Sequence, residues 1–157
     1  MAKYNTYLGT VDGKTNAAIL NLPVANGVTV TEGDFVYFSS GRITSATIAG
    51  ARIIGQVQST ATGDTDGDVK ALVIIEPNAK YLVDNDNVGT TFAASHVGSY
   101  FDLIGATGAQ LVDTSSTSAT TGQLLALEFN PQIDPVKDDT SFGIFKIAEH
   151  ALYPLGA

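Results

Sequence analysis

The chain has no cysteine and no tryptophan, two histidines and a single methionine among its 157 residues. Without cysteine there is no disulfide framework, no thiolate metal site and no cysteine nucleophile. Without tryptophan there is no indole platform for a sugar ring. His96 and His150 leave little material for acid–base or zinc chemistry. Charged residues are 15% of the chain and hydrophobic ones 44%, which excludes a disordered polyelectrolyte and suffices for a packed core. No apolar run reaches the roughly 18 residues of a membrane span. The opening Met1-Ala2-Lys3-Tyr4-Asn5 lacks the apolar stretch of a secretory signal. Neither GxxxxGK[ST] nor GxGxxG occurs, so no phosphate-cradling loop is predicted. The formal net charge of −8 disfavours direct contact with a nucleic-acid backbone.

What is present is Gly, Ser, Thr and Ala, with Val, Ile, Phe and Tyr in short runs between turn residues. That pattern predicts a mainly β chain: a small antiparallel barrel or sandwich with an extended N-terminal arm and one short helix. Residues 1–27 show no clear period and read as the arm, with one short strand, packed along its own domain or reaching a neighbour. Residues 28–157 read as the β-rich core, either one unit or two sub-barrels, 28–83 and 84–157. Strands are expected at Val28–Val30, Phe35–Phe38, Arg42–Ile48, Ile53–Val57, Val69–Ile75 and Lys80–Val83. In the second half they are expected at Tyr100–Ile104, Gln110–Asp113, Leu124–Phe129 and Phe142–Ala148, with Phe145 and Ile147 inward. Gly55 in the middle of a strand marks a bulge or a close backbone approach. The helix is expected within Gly89–Gly98, capped by Thr90 or Thr91. Thr114–Gly122 reads as a Ser/Thr loop, and Asn130–Thr140 as a long acidic one.

Three groups invite chemistry. Asp64, Asp66 and Asp68 place carboxylates at every second position, as calcium loops do, and are the one metal candidate. An EF-hand needs glycine at its sixth position and glutamate at its twelfth; here these are Val69 and Ile75, so the loop reads as an acidic hairpin turn. Asp84-Asn85-Asp86-Asn87 reads as a plain Asx turn. His96 lies near Ser95, Ser99 and Asp102, but no nucleophile elbow surrounds it, and it reads as a packed or capping histidine. His150, beside Glu149, reads as a surface or interface histidine. No catalytic residue and no cofactor is assigned. Tyr4, Tyr7 and Tyr153, near the two ends, are candidates for an interface, together with Ile19, Leu20, Leu22 and Leu152.

The succession Val30-Thr31-Glu32-Gly33-Asp34-Phe35-Val36, Gly41-Arg42-Ile43 and Ile53-Ile54-Gly55-Gln56-Val57 resembles a pattern in tailed-bacteriophage capsid decoration, or cement, proteins. A further turn and valine-rich strand, Gly67-Asp68-Val69 and Leu72–Ile75, follow as in that pattern. The resemblance covers about residues 28–83. It implies a non-enzymatic β-tulip or small barrel that forms homotrimers on the capsid exterior, clamps neighbouring major capsid proteins, and uses its termini for contact. It implies assembly in the host cytoplasm, which a cysteine-free chain suits, with no membrane and no direct nucleic-acid partner. Other readings are a head-fibre base or a tail or head-completion protein, a calcium-dependent carbohydrate-binding β-sandwich using Asp64, Asp66 and Asp68, and a hydrolase built on His96. On the decoration reading, deleting residues 2–22 is expected to abolish capsid binding and leave the β core folded.

Overall fold

The computed structural model describes residues 5–13, 17–48, 50–129 and 142–152. Tyr4, Tyr153 and the Asn130–Thr140 loop lie outside the described residues. The fold is mainly β with antiparallel sheets, and among the described residues no barrel closes. Among the described residues thirteen strands follow one another: β1 (Thr6–Thr10), β2 (Ile19–Pro23), β3 (Thr29–Val30), β4 (Phe35–Ser39), β5 (Arg42–Ser45), β6 (Ile53–Val57) and β7 (Ala61–Thr62). Then come β8 (Lys70–Ile74), β9 (Ala79–Asp84), β10 (Tyr100–Ile104), β11 (Leu111–Ser118), β12 (Leu124–Phe129) and β13 (Phe142–Ile147). One sheet has the order β2-β8-β6-β4-β5 and the other β1-β9-β13-β12-β10-β11, with β3 and β7 forming a separate ribbon.

Each sheet bends until distant parts touch at one parallel bridge, Val24 to Ile43 in the first and Asn85 to Val112 in the second. The bend separates two cores. Val24, Val30, Val36, Ile43, Ile54, Val57, Ala71 and Val73 gather within the five-stranded sheet and its ribbon. Phe35, Ala46, Ile53 and Ile74 from that sheet's other face meet Tyr81, Val83, Phe92, Phe101, Leu124 and Phe145. Neighbouring residues along β4 and β6 therefore serve opposite cores, as a two-residue period requires. All five residues of β6 are buried, which is why its sequence is a continuous run rather than an alternation. A side chain at Gly55 has no room, since a Cβ there would stand 1.8 Å from the Ile74 carbonyl oxygen. The β4–β5 turn is a two-residue loop, Ser40-Gly41, with both φ angles positive, the turn that matches strand twist.

Open, bent sheets leave backbone groups facing the interior, and buried side chains take them up. Gln110 acts as a missing strand neighbour for Phe35: its Oε1 accepts the Phe35 N–H at 2.7 Å and its Nε2 donates to the Phe35 carbonyl at 2.9 Å. Gln123 accepts the Leu103 N–H at 3.0 Å and donates to the Ala46 carbonyl at 2.7 Å and the Ala51 carbonyl at 3.0 Å. Asp34 accepts the N–H groups of Thr31 at 2.9 Å and Gly108 at 2.8 Å, and the hydroxyl of Thr107. Asn5 donates to the Gln110 carbonyl at 3.1 Å, while its own carbonyl accepts from Gln56 Nε2 at 2.9 Å. Gln56, Gln110 and Gln123 are all buried.

Several sequence expectations change in detail. The described part of residues 1–27 lies along the domain itself, β1 paired with β9 and β2 with β8. Both sequence halves, 28–83 and 84–157, contribute to the six-stranded sheet, because β9 pairs with β13 and β1. The short helix is a 3-10 turn, Ala94–His96. Thr90 lies in a bend and Thr91 in irregular chain before it, and Phe92 is drawn into the core with its N–H held by Asn87 Oδ1 at 2.9 Å. Thr114–Ser118, read as loop, extends β11; Ser116 Oγ there accepts the Asp102 N–H at 2.8 Å, filling a register break in the β10–β11 pair.

Two outcomes follow from this packing. Gln110→Leu keeps the volume but strands the Phe35 N–H, and is expected to cost about 2–3 kcal/mol in urea denaturation followed by circular dichroism; a loss below about 0.5 kcal/mol would contradict the bridging role. Deleting residues 2–22 strips β1 and most of β2 from their sheets, so the truncated chain is expected to lose its cooperative melt rather than retain a folded core.

Candidate functional site

The described interface candidates fall in different settings. β2 is an outermost strand of its sheet, paired on one side only, with β8. Its Ile19 and Leu20 are 52% and 47% exposed, and Leu72 of the adjoining β8, opposite Asn21, is 46% exposed. No residue of β2 carries a charge, although charged side chains are the usual guard on an open edge; Pro23 blunts only its end. Leu22 turns inward against the smaller core. Tyr7 is half-buried, its ring 5.9 Å from that of Tyr81 and tilted by 59°, so it serves internal packing. Burial, and then the nearby Glu76 charge, raise the Tyr7 phenol above its ordinary value. Leu152 is 53% exposed, beyond a tail segment that pairs with Ile53. By the two-residue strand period and the β2–β8 register, Ile19 and Leu72 share one face of this edge and Leu20 stands on the other; Leu72 is the addition, which its apolar strand context had hidden.

The acidic loop is held by its own atoms. Asp64 Oδ1 accepts the N–H groups of Gly67 at 2.9 Å and Asp68 at 3.2 Å. The carbonyls of Asp64 and Thr65 accept from the Arg42 guanidinium at 2.8 and 3.0 Å. A built-in cation therefore occupies the loop oxygens, while the Asp66 and Asp68 residues are exposed. Among the described residues, no group of three or more His, Asp or Glu is placed to hold a metal ion. Asp86, of the second acidic stretch, accepts from the Thr114 N–H at 3.0 Å and the Thr114 hydroxyl at 2.7 Å, tying the β9 exit to β11.

The histidines differ sharply. His96 Nδ1 accepts the Ala93 N–H at 3.0 Å and caps the 3-10 turn, its ring against Phe92 and Phe101 at 5.8 and 5.9 Å. Asp102 Oδ1 accepts instead from the Gln123 N–H at 3.3 Å. His150, expected at the surface or in an interface, is fully buried within the chain, because the segment carrying it is drawn against β6. Burial first, then the Arg52 charge, push its imidazole down to about 4. An open cleft of about 200 Å³ is lined by Asn5, Tyr7, Glu32, Gly33, Gln56 and Gln58. Within it Gln58 Nε2 already donates to Gln56 Oε1 at 3.0 Å.

Arg42→Ala is expected to loosen the 64–68 loop and lower stability by about 1–2 kcal/mol, whereas millimolar calcium should leave the melting temperature of the intact chain unchanged. Calorimetric scans with and without calcium check both; a calcium-dependent rise of several degrees would restore the metal reading. Set beside known proteins, the chain matches no family model, no curated protein and no solved structure.

Proposed function

We propose that this chain is a virion structural protein of a tailed bacteriophage, a homo-oligomer, trimeric on the decoration-protein resemblance, that binds the capsid exterior and stabilises contacts between major capsid proteins. One observation carries the reading most directly. Of the segments of the resemblance, Phe35-Val36 enters β4, Arg42-Ile43 opens β5, Ile53–Val57 is β6 and Leu72–Ile74 belongs to β8, all in one sheet, while Val30 lies in the β3–β7 ribbon. The pattern is thus a set of mutual neighbours rather than scattered turns.

The exposed edge suits such a role. Ile19 and Leu72 on one face and Leu20 on the other present apolar surface along an outermost strand, which a strand or loop of a neighbouring protein can cover. Few residues engage per copy, so holding power comes from many copies on one lattice. The net charge of −8 keeps the free protein soluble and away from released DNA.

Co-sedimentation with heads of the encoding phage, stripped of this chain, tests the reading. The intact protein is expected to saturate at hundreds of copies per head, and Leu20→Asp with Leu72→Asp to weaken binding at least tenfold at an unchanged melting temperature. Absence of binding by the folded protein, or saturation at six or twelve copies, would overturn the decoration role.

A further inference from the structure

The chain does not end its work in the six-stranded sheet at β13. The Ala148 and Glu149 N–H groups both donate to the Gln123 carbonyl, at 2.8 and 3.3 Å. The next residues cross to the other sheet: the Ile53 N–H donates to the Glu149 carbonyl at 2.9 Å, and the Ala151 N–H to the Ile53 carbonyl at 2.8 Å. Residues 148–152 thus form a strap between the sheets, laid parallel to the start of β6.

His150 is the fixed point of the strap. Its carbonyl accepts from Arg52 Nη2 at 2.7 Å. Its Nδ1 accepts the Leu152 N–H at 3.0 Å. A ring nitrogen accepts only while it carries no proton; an imidazolium would set Nδ1–H head-on against Leu152 N–H. The charges facing the ring come from three elements: Arg52 before β6 and Lys146 on β13 oppose a second proton, and Glu76 after β8 favours one. Glu149, on the strap itself, faces Asp102 of β10 and Arg52.

We infer that residues 148–152 are an acid-released strap, which protonation of His150 frees from β6 while both sheets stay folded. The closed strap holds the imidazole neutral, whereas in the open state the ring returns to its ordinary value of about 6.5. Closure is therefore fully favoured above pH 6.5 and is lost as pH falls toward 4. With the imidazole at about 4 in the closed state, His150 alone raises the opening equilibrium about twentyfold from pH 7 to pH 5. Glu149 works against this. Burial, and then Asp102, raise its carboxyl, so in the closed state it gains a proton on acidification and favours closure.

Amide hydrogen exchange by NMR on the full chain tests the strap, with protection corrected for the intrinsic pH dependence of exchange. Protection at Ile53, Ala151 and Leu152 is expected to fall at least fivefold from pH 7 to pH 5, while Phe35 and Phe145 keep theirs. His150→Gln, whose amide accepts the Leu152 N–H without titrating, is expected to abolish the difference. Equal protection at both pH values, a loss shared by all amides, or an unchanged response in the variant would each overturn the strap. If the variant does not fold, the His150 ring resonances of the wild-type chain decide: they must titrate in step with the loss at Leu152, and titration without that loss refutes it.

Discussion

A β-sheet that bends without closing leaves N–H and C=O groups turned toward the protein interior, and each needs a partner. The rest of this fold depends on how that need is met. Gln110 and Gln123 each carry a donor and an acceptor on one planar amide, the same complement as a backbone residue, so each completes a ladder where no strand is present. Asp34, buried at the junction, collects two N–H groups and a hydroxyl in the same manner. An unmet buried group costs about 1–3 kcal/mol, against a typical whole-domain stability of about 5–15 kcal/mol. A few such side chains therefore decide whether the two sheets meet at all.

The central strand of the five-stranded sheet, β6, is buried on both faces. One face gathers the valine-rich core, and the other supplies Phe35, Ile53 and Ile74 to the aromatic core shared with the six-stranded sheet. β6 lies at the middle of this arrangement, and Gly55 gives Ile74 the close approach it needs. Surface chemistry is consequently pushed to the margins: the uncharged edge of β2, the self-satisfied acidic loop and the strap around His150.

Where alternation or a turn signal was local, the sequence was readable. β4, β5, β6, β10, β12 and β13 lie where apolar runs and glycine turns placed them, with Phe145 and Ile147 inward. β1 was not readable, because a register shift between Tyr7 and Gly9 breaks its period. Nor was the outer half of β11, whose serines and threonines bond to backbone instead of displaying an apolar face. The 3-10 turn gave a helix signal, but core packing of Phe92 outweighed local propensity. Ile19 and Leu20 were recognisable as apolar residues near a terminus; Leu72 was not, since a valine-rich strand gives no hint of which residue faces out. The glutamine bridges and the burial of His150 left no local trace, because their partners lie far along the chain.

That separation governs how the molecule comes into being. Phe35 waits for Gln110, 75 positions later, Ala46 waits for Gln123, 77 later, and Ile53 meets its parallel neighbour only at His150. A nascent polypeptide leaving the ribosome has no finished half to fall back on, because the ladder of the earlier sheet is completed by side chains translated 75 and 77 residues later. Such a high contact order makes folding slow and places it after synthesis rather than during it. Until then β2 and its neighbours are open to non-native association.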